Sequence, residues 1–130
     1  MPRASASFAL VIGVLALLAA PRQALASDMT VQQFLSLGAD VPRNRVAAML
    51  RPQTRRLIRE VTDAVSIVKA EQASAISAGR SPAHCIPPSG TGITPESLVV
   101  RFETLPQAQR SRTVTQAVRD WMIERYPCRN

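Results

Sequence analysis

The sequence predicts an all-α fold, a small bundle of four to five helices with one disulfide, and three features carry that expectation. Beyond residue 26 no stretch alternates apolar and polar residues with period two over a useful length, so strands have no candidate. Apolar residues recur instead at helical spacing, in segments bounded by capping residues, glycine or proline. Only two cysteines are present, Cys85 and Cys128, and they bracket the Pro-rich turns and helical stretches of the C-terminal part.

Residues 1–26 stand apart from the rest. Arg3 precedes an apolar run from Phe8 to Ala20, followed by Pro21 and by Ala24-Leu25-Ala26 ahead of Ser27. That is the layout of a secretory signal peptide cleaved after Ala26. The run is too short for a membrane anchor, which needs roughly 18 to 20 consecutive apolar residues to cross ~30 Å of hydrocarbon. Residues 27–130 then form a single domain with one modest core, without a stable membrane span, in the periplasm or outside the cell. In such an oxidising compartment the two cysteines persist as a bridge. Closing a loop of roughly 43 residues is worth about 4 kcal/mol in the chain-entropy account. A redox role has no C-x-x-C to rest on.

The helices follow in order. Thr30-Val31-Gln32-Gln33 reads as a capping box, with Val31, Phe34, Leu35 and Leu37 behind it and Gly38 as a left-handed stop. Asp40 and Pro42 are the expected cap and early position of a second short helix through Val46 to Leu50. Arg51 precedes Pro52, which disfavours helix at Arg51 and marks a boundary. From Gln53 to about Ser77 neither Gly nor Pro occurs. Leu57, Ile58, Val61, Ala64, Val65, Val68, Gln72, Ala75 and Ile76 fall there near one stripe, predicting the longest helix, a rod of ~37 Å. Gly79 is its expected end. Thr94-Pro95-Glu96 opens the next helix with a cap hydroxyl, a first-position proline and an acid at the positive end of the dipole. Leu98, Val99, Phe102 and Leu105 supply its apolar face. Past Pro106 a final helix is expected from about Gln107 to Tyr126, with Val114, Ala117, Val118, Trp121, Met122 and the stem of Arg125 on one side.

The chemical inventory is thin, and no catalytic, cofactor or metal residue is predicted. His84 is the only histidine, and no G-x-S-x-G accompanies it; it reads as a loop residue beside the disulfide. A zinc site needs three or four ligands, and exported cysteines prefer each other. Asp120 with Glu124, and Glu60 with Asp63, sit among arginines and read as ordinary surface pairs. The basic balance is pronounced, with 16 Lys and Arg against 9 Asp and Glu, a formal charge of +7. Export and the lack of aromatics within the basic run argue against nucleic acid. Arg51, Arg55, Arg56 and Arg59 crowd the start of the long helix, where the dipole favours acids. They are the candidate anion-facing binding surface; the plainer reading pairs Arg56 and Arg59 with Glu60 and Asp63 on a solvated face.

The succession Cys85-Ile86-Pro87, Thr94 with Glu96 and Leu98-Val99, Phe102, Pro106, Arg110, Ala117-Val118 and Tyr126-Pro127-Cys128 resembles the periplasmic immunity proteins of the Tai/Rap type, whose all-helical domain is similar to the acid-stress chaperone HdeA. The resemblance implies a protein partner, a peptidoglycan amidase effector delivered by type VI secretion. The chain departs from that family in lacking a second cysteine pair between the first helix and the long one: Gly38 stands near the first of those positions, and the long helix carries none. The leading expectation is an exported, non-enzymatic protein-binding module. The alternatives are an HdeA-like periplasmic chaperone and a small periplasmic hydrolase with an unrecognised site.

Overall fold

A computed structural model describes residues 27–129 of the chain; the predicted signal peptide lies outside the described residues. Five helices follow in order: α1 (Val31–Ala39), α2 (Arg45–Met49), α3 (Pro52–Ser77), α4 (Pro95–Glu103) and α5 (Val114–Arg125), with a short 3-10 turn at Gln107–Gln109. The protein is all-α and carries the Cys85–Cys128 disulfide, with Cα atoms 5.0 Å apart. α3 is the rod on which α1, α2 and α5 are laid, with α5 its most extensive partner, and α4 packs against α1.

Threonine sets three of the five starting points. Thr30, Thr94 and Thr113 each accept a hydrogen bond from the backbone three residues on, and the side chain at that position, Gln33, Ser97 or Gln116, accepts one from the cap's own N–H. Each reciprocal pair satisfies two amides that a helix start would otherwise leave open. The starts of α1 and α5 also satisfy each other. Thr30 and Thr113 form an antiparallel bridge; the N–H of Val31 donates to the Arg112 carbonyl at 2.9 Å, that of Gln32 to Arg110 at 2.9 Å, and that of Val114 to Met29 at 2.9 Å.

This joint explains why the last helix begins at Val114 and not at Gln107 as the sequence reading has it. The carbonyls of Arg110 and Arg112 must face α1, which a helical backbone would not allow. The Arg110 side chain further fixes the connection, donating from Nε to the Leu105 carbonyl at 3.1 Å and from Nη2 to the Glu103 carbonyl at 2.9 Å. Two further boundaries differ. Gly38 lies inside α1, which ends at Ala39 with Asp40 in right-handed conformation, so no left-handed glycine is used there. The cap of α2 is Asn44, whose Oδ1 accepts from the N–H of Val46 at 3.0 Å and of Ala47 at 3.2 Å; Asp40 and Pro42 belong to the preceding turn. Arg51 is extended, with ψ 131, and Pro52 takes the first position of α3. At the other end Gly79, at φ 69, closes a Schellman motif through bonds from Gly79 to Ile76 at 3.0 Å and from Arg80 to Ala75 at 2.9 Å.

The core gathers Val31 and Phe34 of α1, Leu57, Val61, Ala64 and Val68 of α3, Leu98 and Phe102 of α4, and Val114, Ala117, Val118 and Met122 of α5. Phe34 and Phe102 meet edge to face with centroids 5.4 Å apart, a favoured aromatic geometry. No cysteine joins α1 to α3, and packing alone holds them. Of the predicted stripe on α3, Ile58 and Ile76 are exposed. Gln72 turns its amide to the following loop: Oε1 accepts from the Ile86 N–H at 2.7 Å, and Nε2 donates to the Ile86 carbonyl at 3.1 Å.

Reduction of the disulfide, or replacement of both cysteines by alanine, is expected to lower the melting temperature by about 15 °C or more, from ~4 kcal/mol of loop closure at ~4 to 8 °C per kcal/mol. A shift of only a degree or two in calorimetry would show that packing alone holds the end of α5. Thr113→Ala should cost about 1 to 2 kcal/mol in urea unfolding, the upper range for a lost cap. An unchanged midpoint would mean that the joint stands without the cap hydroxyl.

Candidate binding surface

The four arginines singled out in the sequence lie on one end of the molecule. Arg51 is the residue before α3 and makes no side-chain cap; Arg55, Arg56 and Arg59 follow on its first two turns. All four are exposed. Spacing of four residues turns a helix by only about 40°, so Arg51, Arg55 and Arg59 run as one row. The proposed pairing of Arg56 and Arg59 with Glu60 and Asp63 does not occur. The ion pairs among the described residues are Arg101–Glu124, Arg112–Asp120 and Arg119–Glu71, and Glu60 is only 6% exposed. Glu60 sits beside Leu57, Val61 and Ala64, on the side of α3 that meets the core, which is why it does not serve the solvated face.

Next to this row the structure places apolar side chains that the sequence reading did not assign to the surface. α2 has no buried residue. Val46 and Leu50 are 72% and 74% exposed, and Met49 and Ile58 are exposed with them. The i, i+3, i+4 spacing of Val46, Met49 and Leu50 is legible as an apolar stripe, and such a stripe ordinarily faces a core. α2 is a short helix that packs on α3; its Ala47 and Ala48 are half-buried, and the larger side chains are left outside. A basic row thus borders an uncovered apolar patch, with Arg43 and Arg45 also exposed around it.

Elsewhere three arginines, Arg101, Arg112 and Arg119, carry ion pairs. A shallow groove of about 250 Å³ is lined by Phe102, Leu105 and Ala117 together with the Arg101–Glu124 and Arg112–Asp120 pairs. Asp120 and Glu124 are thereby placed as surface pairs, with partners on other segments. Both cations in the groove already have counter-ions. Arg119 holds Glu71 through two bonds, Nε to Oε2 at 2.9 Å and Nη2 to Oε1 at 2.6 Å. That contact keeps the Glu71 carboxyl below its usual value of 4.5.

His84 is a loop residue beside the disulfide, as read, and it is buried. It is 1% exposed, and its Nδ1 lies 3.2 Å from Gln72 Oε1. Burial pushes its pKa below the ordinary 6.5, with Glu71 pulling the other way and Arg119 reinforcing the fall. The imidazole is thus sealed from solvent, with the Gln72 amide beside it. Among the described residues no group of three or more His, Cys, Asp or Glu comes together to hold a metal ion, and no helix is long and apolar enough to cross a membrane.

The depressed pKa of His84 has a signed consequence. The unfolded chain takes up a proton near 6.5 and the folded chain does so only lower, so this contribution to stability is whole above that value and is lost as pH falls through it. Between about pH 7 and about pH 5.5, denaturant unfolding of the parent should show falling stability and His84→Gln a flatter profile. Equal slopes would show that His84 is not the titrating group.

No family model matches this chain, and no curated protein or solved structure is detectably similar to it.

Proposed function

We propose that this chain is an exported, non-enzymatic protein-binding module that docks through α2 and the first turns of α3, and that its partner is a peptidoglycan amidase of the kind neutralised by Tai/Rap immunity proteins. The observation that carries the reading is the patch itself: Val46, Met49 and Leu50 uncovered beside Arg51, Arg55, Arg56 and Arg59, with no ion pair to these arginines among the described residues. Exposed apolar area rimmed by charge is a frequent mark of an interaction site. Arginine in particular anchors interfaces, because its fork bonds carboxylates in pairs while its stem covers apolar surface. The resemblance of the Cys85 to Cys128 segment to the immunity family supplies the partner class. Neutralisation then needs no chemistry of its own: a bound module blocks access to the amidase cleft, and the basic row draws an acidic rim toward it.

The test uses the peptidoglycan amidase encoded nearest to this chain's gene, assayed on purified sacculi. A stoichiometric amount of the protein should abolish release of soluble fragments. Replacing Arg51, Arg55 and Arg59 by Gln should change stability by no more than ~0.5 kcal/mol. The same replacement should weaken inhibition about tenfold, the size of one 1.4 kcal/mol loss, and flatten its salt dependence. Full inhibition by the triple variant would remove the surface from the proposal, and no inhibition by the parent would remove the amidase.

A further inference from the structure

We infer that the Arg125 guanidinium, mounted beside Trp121 and Tyr126 at the end of α5, is a binding site for a carboxylate presented by an acidic segment of a partner protein. The inference goes beyond the amidase reading, because it concerns a different part of the surface. Tyr126 is tied to Cys85, whose N–H donates to the Tyr126 carbonyl at 2.8 Å, and the next residue, Ile86, is held by Gln72. Gln72 lies about 20 Å along α3 from Arg59, the last arginine of the basic row, at 1.5 Å per residue.

The guanidinium is fixed by its surroundings. Its Cζ lies 5.9 Å from the centre of the Trp121 ring and 5.6 Å from that of Tyr126. Trp121 is one turn back on the same helix, where side chains four residues apart meet. Nε donates to the Tyr126 hydroxyl at 3.2 Å, and that hydroxyl donates its own hydrogen to the Thr91 carbonyl at 2.9 Å. Nη2 lies against Gly92, where a β-carbon would stand 3.2 Å from it. A surface arginine ordinarily loses rotamer freedom when it binds; this one is already ordered by the fold.

The ordered guanidinium keeps an open donor edge. Of its N–H groups only that of Nε has an acceptor among the described residues. The side formed by Nε and Nη2 is closed by the Tyr126 hydroxyl and Gly92, which leaves the edge formed by Nη1 and Nη2. Such an edge offers parallel N–H bonds at the spacing of the oxygens of a carboxylate. Among the described residues no carboxylate pairs with Arg125: Glu124, its neighbour in sequence, is bonded to Arg101. Arg101 also lies over Trp121, with Cζ 5.8 Å from the ring centre, so the indole carries two cations and only one of them is neutralised. Arg125 is exposed, and Trp121 and Tyr126 are half-buried. Arginine, tryptophan and tyrosine are the side chains that most often anchor protein interfaces. A phosphate would engage the same donor edge, but the aromatic rings beside it suit a carboxylate carried on an apolar stem, as in the aspartate or glutamate of a peptide.

The test is an NMR titration of isotope-labelled protein with the peptide acetyl-Ala-Glu-Ala-amide, with the same peptide bearing Gln in place of Glu, and with inorganic phosphate. The Arg125 Nε–H and Trp121 indole N–H resonances should shift and saturate with the glutamate peptide and stay in place with the glutamine peptide. Arg125→Lys keeps the charge and loses the fork, and should weaken the binding about tenfold. Gly92→Ala, which crowds the guanidinium at unchanged charge, should weaken it as well; Arg125→Lys keeps the test decisive should the strained loop of Gly92→Ala fail to fold. Replacing Arg51, Arg55 and Arg59 by Gln should leave the shifts unchanged, so this site and the amidase reading fail separately. Shifts that never saturate, shifts as large with the glutamine peptide, or equal affinity in Arg125→Lys overturn the site. Phosphate binding as tightly as the glutamate peptide overturns the choice of ligand.

Discussion

The exchange of backbone hydrogen bonds between the starts of α1 and α5 is the constraint on which the rest of the arrangement depends. A helix start exposes amides that need acceptors, and here each of the two helices finds some of them in the segment leading into the other. The two helices are remote in sequence, yet their first turns are fixed to within a hydrogen bond of one another. Everything nearby inherits that precision. Phe34 is one turn from the joint and reaches Phe102; Met29, just outside it, is pinned into the core; and the turn from Pro106 to Thr113 is shaped by the carbonyls it must present.

A second set of polar contacts keeps the stretch between α3 and α4 in place. Residues 78–94 have no helix or strand, and a connection of that length needs anchors to stay ordered. Three are present. Gln72 matches both backbone groups of Ile86, the Tyr126 hydroxyl donates to the Thr91 carbonyl at 2.9 Å, and the Cys85 N–H donates to the Tyr126 carbonyl at 2.8 Å beside the disulfide. The approach is close at Gly92, where a β-carbon would stand 3.2 Å from the Arg125 guanidinium. That glycine serves spacing as well as its positive φ.

What could be read from the sequence was local chemistry. Thr30 with Gln33, Thr94 with Pro95, the boundary at Arg51-Pro52 and the cysteine pair each announce themselves within a few residues, and each is found as read. The start at Thr113 carried the same signature, Thr-Val-Thr-Gln, but the sequence reading opened the helix just past Pro106; the pairing with α1, a long-range contact, decides between the two starts. The side chains of the candidate surface divide similarly. Arginine exposure follows from charge alone, whereas the exposure of Val46, Met49 and Leu50 depends on how far α2 sits from the core. The burial of Glu60 depends on which side of α3 meets the core. Periodicity assigns a face, and tertiary packing decides what that face meets.

The disulfide also redistributes mechanical load. A pull on the chain beyond Cys128 passes through the sulfurs to Cys85. Tension between residues on either side of the bridged segment bypasses residues 86–127. α4 and α5 sit in a covalent bight that carries no force, and a machine threading the chain from the Cys128 side meets two strands of polypeptide in place of one. Half of the core is thus shielded from being drawn out end first, by a bond that contributes nothing to the packing of that half.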